Sequence, residues 1–367
     1  MTFVFADIHR FSRSPGHSSA SANRTVSAWR QYAPVALLVL LAAVPLDALA
    51  EGQTLRDVVF TDYGEHSSNP EIVRRLLSPL AAARLERELA RSGKTVRGQP
   101  VNLSEERYVV YVPTQHAARG YGLLVFVPPW QDARLPQGWA GVLDRFGVIF
   151  VSAARSGNDE NVLGRREPLA LLAAENITRR YPVDPERVYV AGFSGGSRVA
   201  LRLVLGYSDL FRGAILNAGS DPIGNSEIPL PPGDLLLKFQ NSTHLIYVTG
   251  ELDTDHANED LMSMRSMRQW CAFNVDSFLQ PRVHHEVATA AALSRSLGDL
   301  TNSTQPDPAK LAACRSAIET ELETKLQSVE SLIANGQKAE AQKQLKNVDD
   351  RFGGLAARRS LDLASKL

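Results

Sequence analysis

The residues able to do chemistry in this chain start with Ser194, set in "VYVAGFSGGSRVALRLVL" between Gly192 and Gly196. Positions 192–196 read G-x-S-x-G, with an apolar strand-like run before them and an amphipathic helix-like run after. A serine on a sharp strand-to-helix turn has its hydroxyl lifted into the open, and glycines two residues either side avoid collision with the neighbouring strand and helix. The turn also puts the N–H of Gly195 at a helix start, where negative charge is favoured. A phosphate-binding role is argued against, because the chain has no lysine in the GxxxxGK[ST] position and no GxGxxG spacing here.

A serine hydroxyl is a poor nucleophile until a base takes its proton, so the motif calls for an acid and then a histidine downstream. Both exist. Asp253 and Asp255 stand in "ELDTDH", just beyond the strand-like "LIYVTG", and the pair His284 and His285 opens "HHEVATAAALSRSL". An oxyanion needs a second backbone donor besides Gly195, from the loop after "LLVFV". That loop reads "PPWQD"; Pro128 and Pro129 have no N–H, so Trp130 is the first residue able to donate. Phe193, next to the serine, is expected to touch substrate.

Neighbouring polar residues read more plainly. His256, close to Asp253 and Asp255, is expected to be a surface residue of an acidic loop, and no metal or cofactor is implied. Arg165 and Arg166, in the polar stretch 156–167, read as exposed ion pairs at a helix start rather than as holders of an acidic substrate group.

The elements that must position these groups alternate. Strands are expected at 107–112, 123–127, 148–153, 188–192, 214–219 and 245–250, and helices at 167–181, 196–207, 258–271 and 286–297. Several strands are near-continuous apolar runs, as in parallel sheets covered on both faces, so the expectation is an α/β class, mostly parallel and doubly wound, over 101–300. Residues 51–100 read as an N-terminal helical extension with one helix over 69–93. After the turn-rich "TNSTQPDP", residues 306–367 carry no strand signal and two or three helices, with breaks near Asn335, Gly336, Gly353 and Gly354. One helical hairpin is too little to bury its own core, so this region is expected to dock on the main domain or on an unidentified protein.

With its flanks "YPVDPERV" and "DLFRGAILNAG", the segment "RVYVAGFSGGSRVA" resembles the α/β-hydrolase esterases of the polyhydroxybutyrate depolymerase and feruloyl esterase type. The likeness runs over about 108–297 and implies an α/β-hydrolase with a C-terminal helical appendage. It makes Ser194 the nucleophile, an aspartate of "GELD" the acid and a histidine before the last helix the base. The family's Gly-His-Glu is here His284, His285, Glu286, which favours His285 as base and leaves His284 for solvent or substrate. The family's GxxD spacing favours Asp253 over Asp255. The implied function is hydrolysis of a carboxylic ester; beside it stand a serine peptidase and a scaffold kept as an interaction module.

Composition narrows partners. Lysine plus arginine and aspartate plus glutamate each total 40, which gives no general attraction to nucleic acid. Residues 1–50 read as a signal peptide: Arg10, Arg13, Arg24 and Arg30 precede the apolar "APVALLVLLAAVPL", and Ala48 and Ala50 match an A-x-A cleavage pattern. The apolar run is shorter than the roughly 20 residues a membrane span needs, so export without a stable membrane span after cleavage is expected, to the periplasm or outside. In such a compartment the only two cysteines, Cys271 and Cys314, are expected to bridge.

Overall fold

A computed structural model describes residues 52–302 and 305–367; the segment read as a signal peptide lies outside the described residues. Eight strands are found among them: β1 (Gln53–Val58), β2 (Tyr108–Val112), β3 (Tyr121–Val127), β4 (Val148–Ala153), β5 (Val183–Phe193), β6 (Gly213–Asn217), β7 (His244–Gly250) and β8 (Val275–Gln280). They form one sheet in the order β1-β2-β4-β3-β5-β6-β7-β8. β2 is antiparallel to both its neighbours, and every pair from β4 across to β8 is parallel.

The helices, in chain order, are α1 (Asn69–Leu76), α2 (Pro79–Arg91), α3 (Ala140–Phe146), α4 (Glu167–Arg180), α5 (Gly195–Gly206), α6 (Gly233–Ser242), α7 (Thr254–Gln269), α8 (Ala290–Thr301), α9 (Pro308–Ala334), α10 (Lys338–Phe352) and α11 (Ala357–Ala364). Successive strand side chains point to opposite faces, and both faces are covered. Leu123, Val125 and Val127 enter one core with Leu171 of α4, Val199 of α5 and Met267 of α7, while Leu124 and Phe126 enter a second with Leu143 of α3 and Leu293 of α8. That double cover is why the inner strands lack an apolar-polar alternation. The architecture is an α/β-hydrolase fold, and its inner parallel strands all deliver their carboxyl ends to one edge of the sheet, where ligands of such sheets bind.

Several boundaries differ from the sequence reading. The helix expected over 69–93 is two helices, because Pro79 disfavours a helical Ser78, which instead adopts φ −68° and ψ 152° and caps α2. Residues 51–100 are not purely helical, since β1 pairs with β2 in the main sheet. β1 and β8 are edge strands with few buried side chains, so neither carries the apolar run that marks the inner strands. The helix expected at 286 begins at Ala290, capped by Thr289, which leaves His284 and His285 in a loop.

The C-terminal helices break where glycines and Asn335 stand, and they pack on the main body. Cys271 and Cys314 are disulfide-bonded with Cα atoms 5.9 Å apart. Arg315 donates to Gln240 and Asn241 of α6, buried Asp349 accepts from Ser78 Oγ and the Leu80 N–H at the start of α2, and Phe352 lies edge-on to Trp270. No helix among the described residues is long and apolar enough to cross a membrane.

Candidate active site

Ser194 sits between the end of β5 and the start of α5 with φ 55° and ψ −126°, a left-handed conformation that L side chains rarely adopt. Its N–H donates to the Asn217 carbonyl at 2.8 Å, which ties the turn to the end of β6. The flanking glycines are required by contact. A Cβ on Gly192 would lie 2.1 Å from the Gly196 carbonyl oxygen, and one on Gly196 would lie 2.0 Å from the carbonyl oxygen of Val127. Only a chain without side chains at both places lets the turn close so tightly against β3.

His285 faces this serine. Its Nε2 is 3.0 Å from Ser194 Oγ and its Nδ1 is 2.7 Å from Asp253 Oδ2, so serine, imidazole and carboxylate form one hydrogen-bonded chain. Asp253 follows β7 and is buried, whereas Asp255 is exposed on the first turn of α7. The side chain of His284 is exposed and makes no hydrogen bond to the described residues; its carbonyl accepts the Glu286 N–H in a tight turn that swings His285 inward. Of the two candidates for each place, the fold brings together His285 and Asp253. Burial works against the charge on Asp253, but hydrogen bonds from His256 and His285 outweigh it and hold the carboxyl below its usual range.

No protein-family model and no curated protein matches this sequence. Solved structures are similar to part of the chain. Among them are a ferulic acid esterase (18% identity, 54% of this chain and 92% of that one, TM-score 0.42) and the S-formylglutathione hydrolase of Staphylococcus aureus (10%, 54% and 93%, 0.44). A third is the dipeptidyl peptidase 4 of Porphyromonas gingivalis (15%, 59% of this chain, 0.40). The chain spans only 39% of that peptidase, and 34% of a dipeptidyl aminopeptidase IV-type chain from Bacteroides ovatus. What the site can do follows from its own geometry.

The expected oxyanion loop lies directly beside the serine turn. Its carbonyls are taken up by the segment after β4: the Arg166 guanidinium donates to Pro128 O at 2.9 Å, Asn158 N–H to Pro129 O at 3.1 Å and Arg155 N–H to Gln131 O at 2.6 Å. Because the peptide is trans, the Trp130 N–H points away from Asn158, on the side opposite to the Pro129 carbonyl. Gly195 is the first residue of α5, so its N–H has no acceptor one turn back. The indole of Trp130 stacks under Arg134, with the cation 4.2 Å from the ring. The Phe193 ring is mostly buried, 4.8 Å from the His285 ring and 6.2 Å from Trp130, which leaves little of it for a ligand.

Arg166 corrects one expectation. It is 3% exposed and binds backbone carbonyls of Pro128 and Ser156 instead of forming a surface ion pair, and burial pulls its pKa down to about 10. Arg165 is ion-paired, with Glu106, but that carboxylate is buried as well. His256 corrects another. It is not a bystander of the surface: its Nδ1 lies 2.7 Å from Asp253 Oδ1, and its ring stacks on His285 at 4.1 Å and 22°. Asp253, His256 and His285 thereby bring three possible metal-ligand atoms within 4.8 Å of one another, an approach that the two imidazole-carboxylate hydrogen bonds account for.

The sequence reading also missed Asn217, which is buried at the end of β6. Its amide donates to Val248 O at 2.9 Å and accepts the Ala288 N–H at 2.6 Å. The only available signal was its place at the end of an apolar strand, beside others reading toward the same edge.

Proposed function

We propose that this protein is a serine hydrolase cleaving carboxylic esters through a covalent acyl-enzyme, with Ser194 as nucleophile, His285 as base and Asp253 as its orienting acid. One observation carries the reading: the hydrogen-bonded chain Ser194 Oγ, His285 Nε2, His285 Nδ1 and Asp253 Oδ2, with links of 3.0 and 2.7 Å, built on a strained turn at the carboxyl edge of the sheet. A site retired to a binding role has no physical reason to keep that geometry against its strain.

In the first step the Ser194 oxygen attacks the ester carbonyl carbon while its proton passes to His285 Nε2, and the carbonyl oxygen becomes an oxyanion facing the Gly195 and Trp130 N–H groups. Collapse of this intermediate breaks the bond to the alcohol oxygen, which takes the proton from His285. Water then attacks the acyl-serine carbonyl and gives a proton to His285; collapse breaks the acyl–Oγ bond, His285 returns the proton to Ser194 Oγ and the carboxylic acid leaves. Asp253 holds the Nδ1–H tautomer and stabilises the imidazolium. An ester demands less than a peptide, because an alkoxide is a far better leaving group than an amide anion.

The substrate class we put forward is that of the resemblance in sequence: a polyester such as polyhydroxybutyrate, a feruloylated or acetylated polysaccharide, or a small ester. We place the protein outside the cytoplasm, supported by the disulfide between Cys271 and Cys314 and by the composition of residues 1–50. The test is labelling by a fluorophosphonate probe of wild type and Ser194→Ala. Labelling of the wild type alone is expected; folded wild-type protein that stays unlabelled would overturn the reading.

A further inference from the structure

We propose that His256 is a positioning residue of the site: its N–H locks the Asp253 carboxylate, so that His285 Nε2 stays aimed at Ser194. The inference rests on the reading of Ser194, His285 and Asp253 given above.

Asp253 is the N-cap residue of α7, and an aspartate there ordinarily accepts a backbone N–H of the first turn. This one makes no such bond. Its two oxygens go instead to two imidazoles, Oδ1 to His256 Nδ1 and Oδ2 to His285 Nδ1, each at 2.7 Å. His256 thus removes the choice a lone N-cap aspartate would have, between turning back to cap α7 and facing the base. With both oxygens occupied, rotation of the carboxylate breaks a hydrogen bond.

His285 needs such support. Its side chain is 37% exposed, and it stands in a loop rather than on a helix or strand. Two rings lie against its own, His256 stacked at 4.1 Å and Phe193 tilted at 4.8 Å. The surroundings of His256 are built to admit the imidazole. Gly219, with φ +107°, lies so close that a Cβ there would come within 2.6 Å of His256 Cδ2. On the same side Glu259 is held by Arg198 at 2.6 Å, and Arg198 also pairs with Asp221.

The experiment compares second-order rates of fluorophosphonate labelling at Ser194, with thermal unfolding measured beside them. His256→Phe keeps a ring over His285 but removes the N–H to Asp253; His256→Asn restores an N–H at the position of Nδ1 while removing the ring. We expect His256→Phe to label between ten- and a hundredfold more slowly, since a misplacement near 1 Å costs about a hundredfold. His256→Asn is expected to recover most of that rate, and both variants to melt near wild type. If His256→Phe melts early, His256→Ala takes its place in the comparison. Labelling of His256→Phe at the wild-type rate, or no recovery in His256→Asn, overturns the inference while leaving the nucleophile intact. Wild type that fails to label overturns the underlying reading as well.

Discussion

The side-chain oxygen of Asn217 accepts the backbone N–H of Ala288 at 2.6 Å, joining the end of β6 to the segment that carries His285. The carbonyl of Asn217 accepts the Ser194 N–H, and its amide donates to Val248 on β7, the strand that leads to Asp253. One residue therefore touches all three segments of the site. Asn217→Ala leaves the Ala288 N–H buried without its acceptor, at a cost of about 1–3 kcal/mol. The Ser194 labelling rate should fall together with stability. A normal rate in a destabilised variant would mean that His285 is held by its side-chain contacts alone.

The backbone of the serine turn admits no side chain at its second glycine. Gly196→Ala places a Cβ 2.0 Å from Val127 O, a backbone atom that cannot swing aside. Relief requires the turn to move away from β3, with an overpacking cost of about 3 kcal/mol. Chemical denaturation should show that loss, and labelling should be abolished even in the fraction that folds.

Asp260 couples stability to pH. It is buried on α7 and accepts a hydrogen bond from the Thr249 hydroxyl, and burial pushes its carboxyl from 3.8 up to about 7. A carboxyl raised in the folded state gives stability that is full below its unfolded value and lost as pH climbs through the folded one. The loss therefore runs from about pH 4 to about pH 7 and amounts to about 4 kcal/mol, at 1.36 kcal/mol per unit. Asp260→Asn should flatten the urea midpoint across this window and raise it at pH 8. Parallel pH profiles of variant and wild type would show that the carboxyl is ionised throughout.

The bridge between Cys271 and Cys314 closes a loop of 43 residues, for which chain entropy gives about 4 kcal/mol of stabilisation. Replacing both cysteines with serine should lower the unfolding midpoint accordingly. The helices it pins rest on α2, α6 and the end of α7, none of which supplies Ser194, Asp253 or His285. Labelling should hence proceed at the wild-type rate. A faster rate in the unbridged protein would instead make the tail a cover that must move.

Much of this molecule was legible in one dimension because its signals are local. The six inner strands announce themselves as apolar runs, since each is buried on both faces, and glycines around Ser194 mark a turn that tolerates nothing larger. The breaks in the tail at Asn335, Gly336, Gly353 and Gly354 stand where its helices end. Edge strands β1 and β8 stayed hidden, because a strand with one exposed side has no apolar run to show.

The choice between neighbouring candidates belonged to the tertiary structure. Whether His284 or His285 meets the serine depends on a tight turn at 284–286, and whether Asp253 or Asp255 meets the histidine depends on where α7 starts. The roles of Asn217 and Arg166 are relations across 71 and 38 residues of chain, made by the meeting of strand ends at one edge, and His256, which meets Asp253 locally, reaches His285 only through that same meeting. Sequence determines which side chains are available and which segments become strand or helix, because those preferences act over a few residues. Only the packed sheet decides which of them come within 3 Å, because that distance is set by elements far apart in the chain.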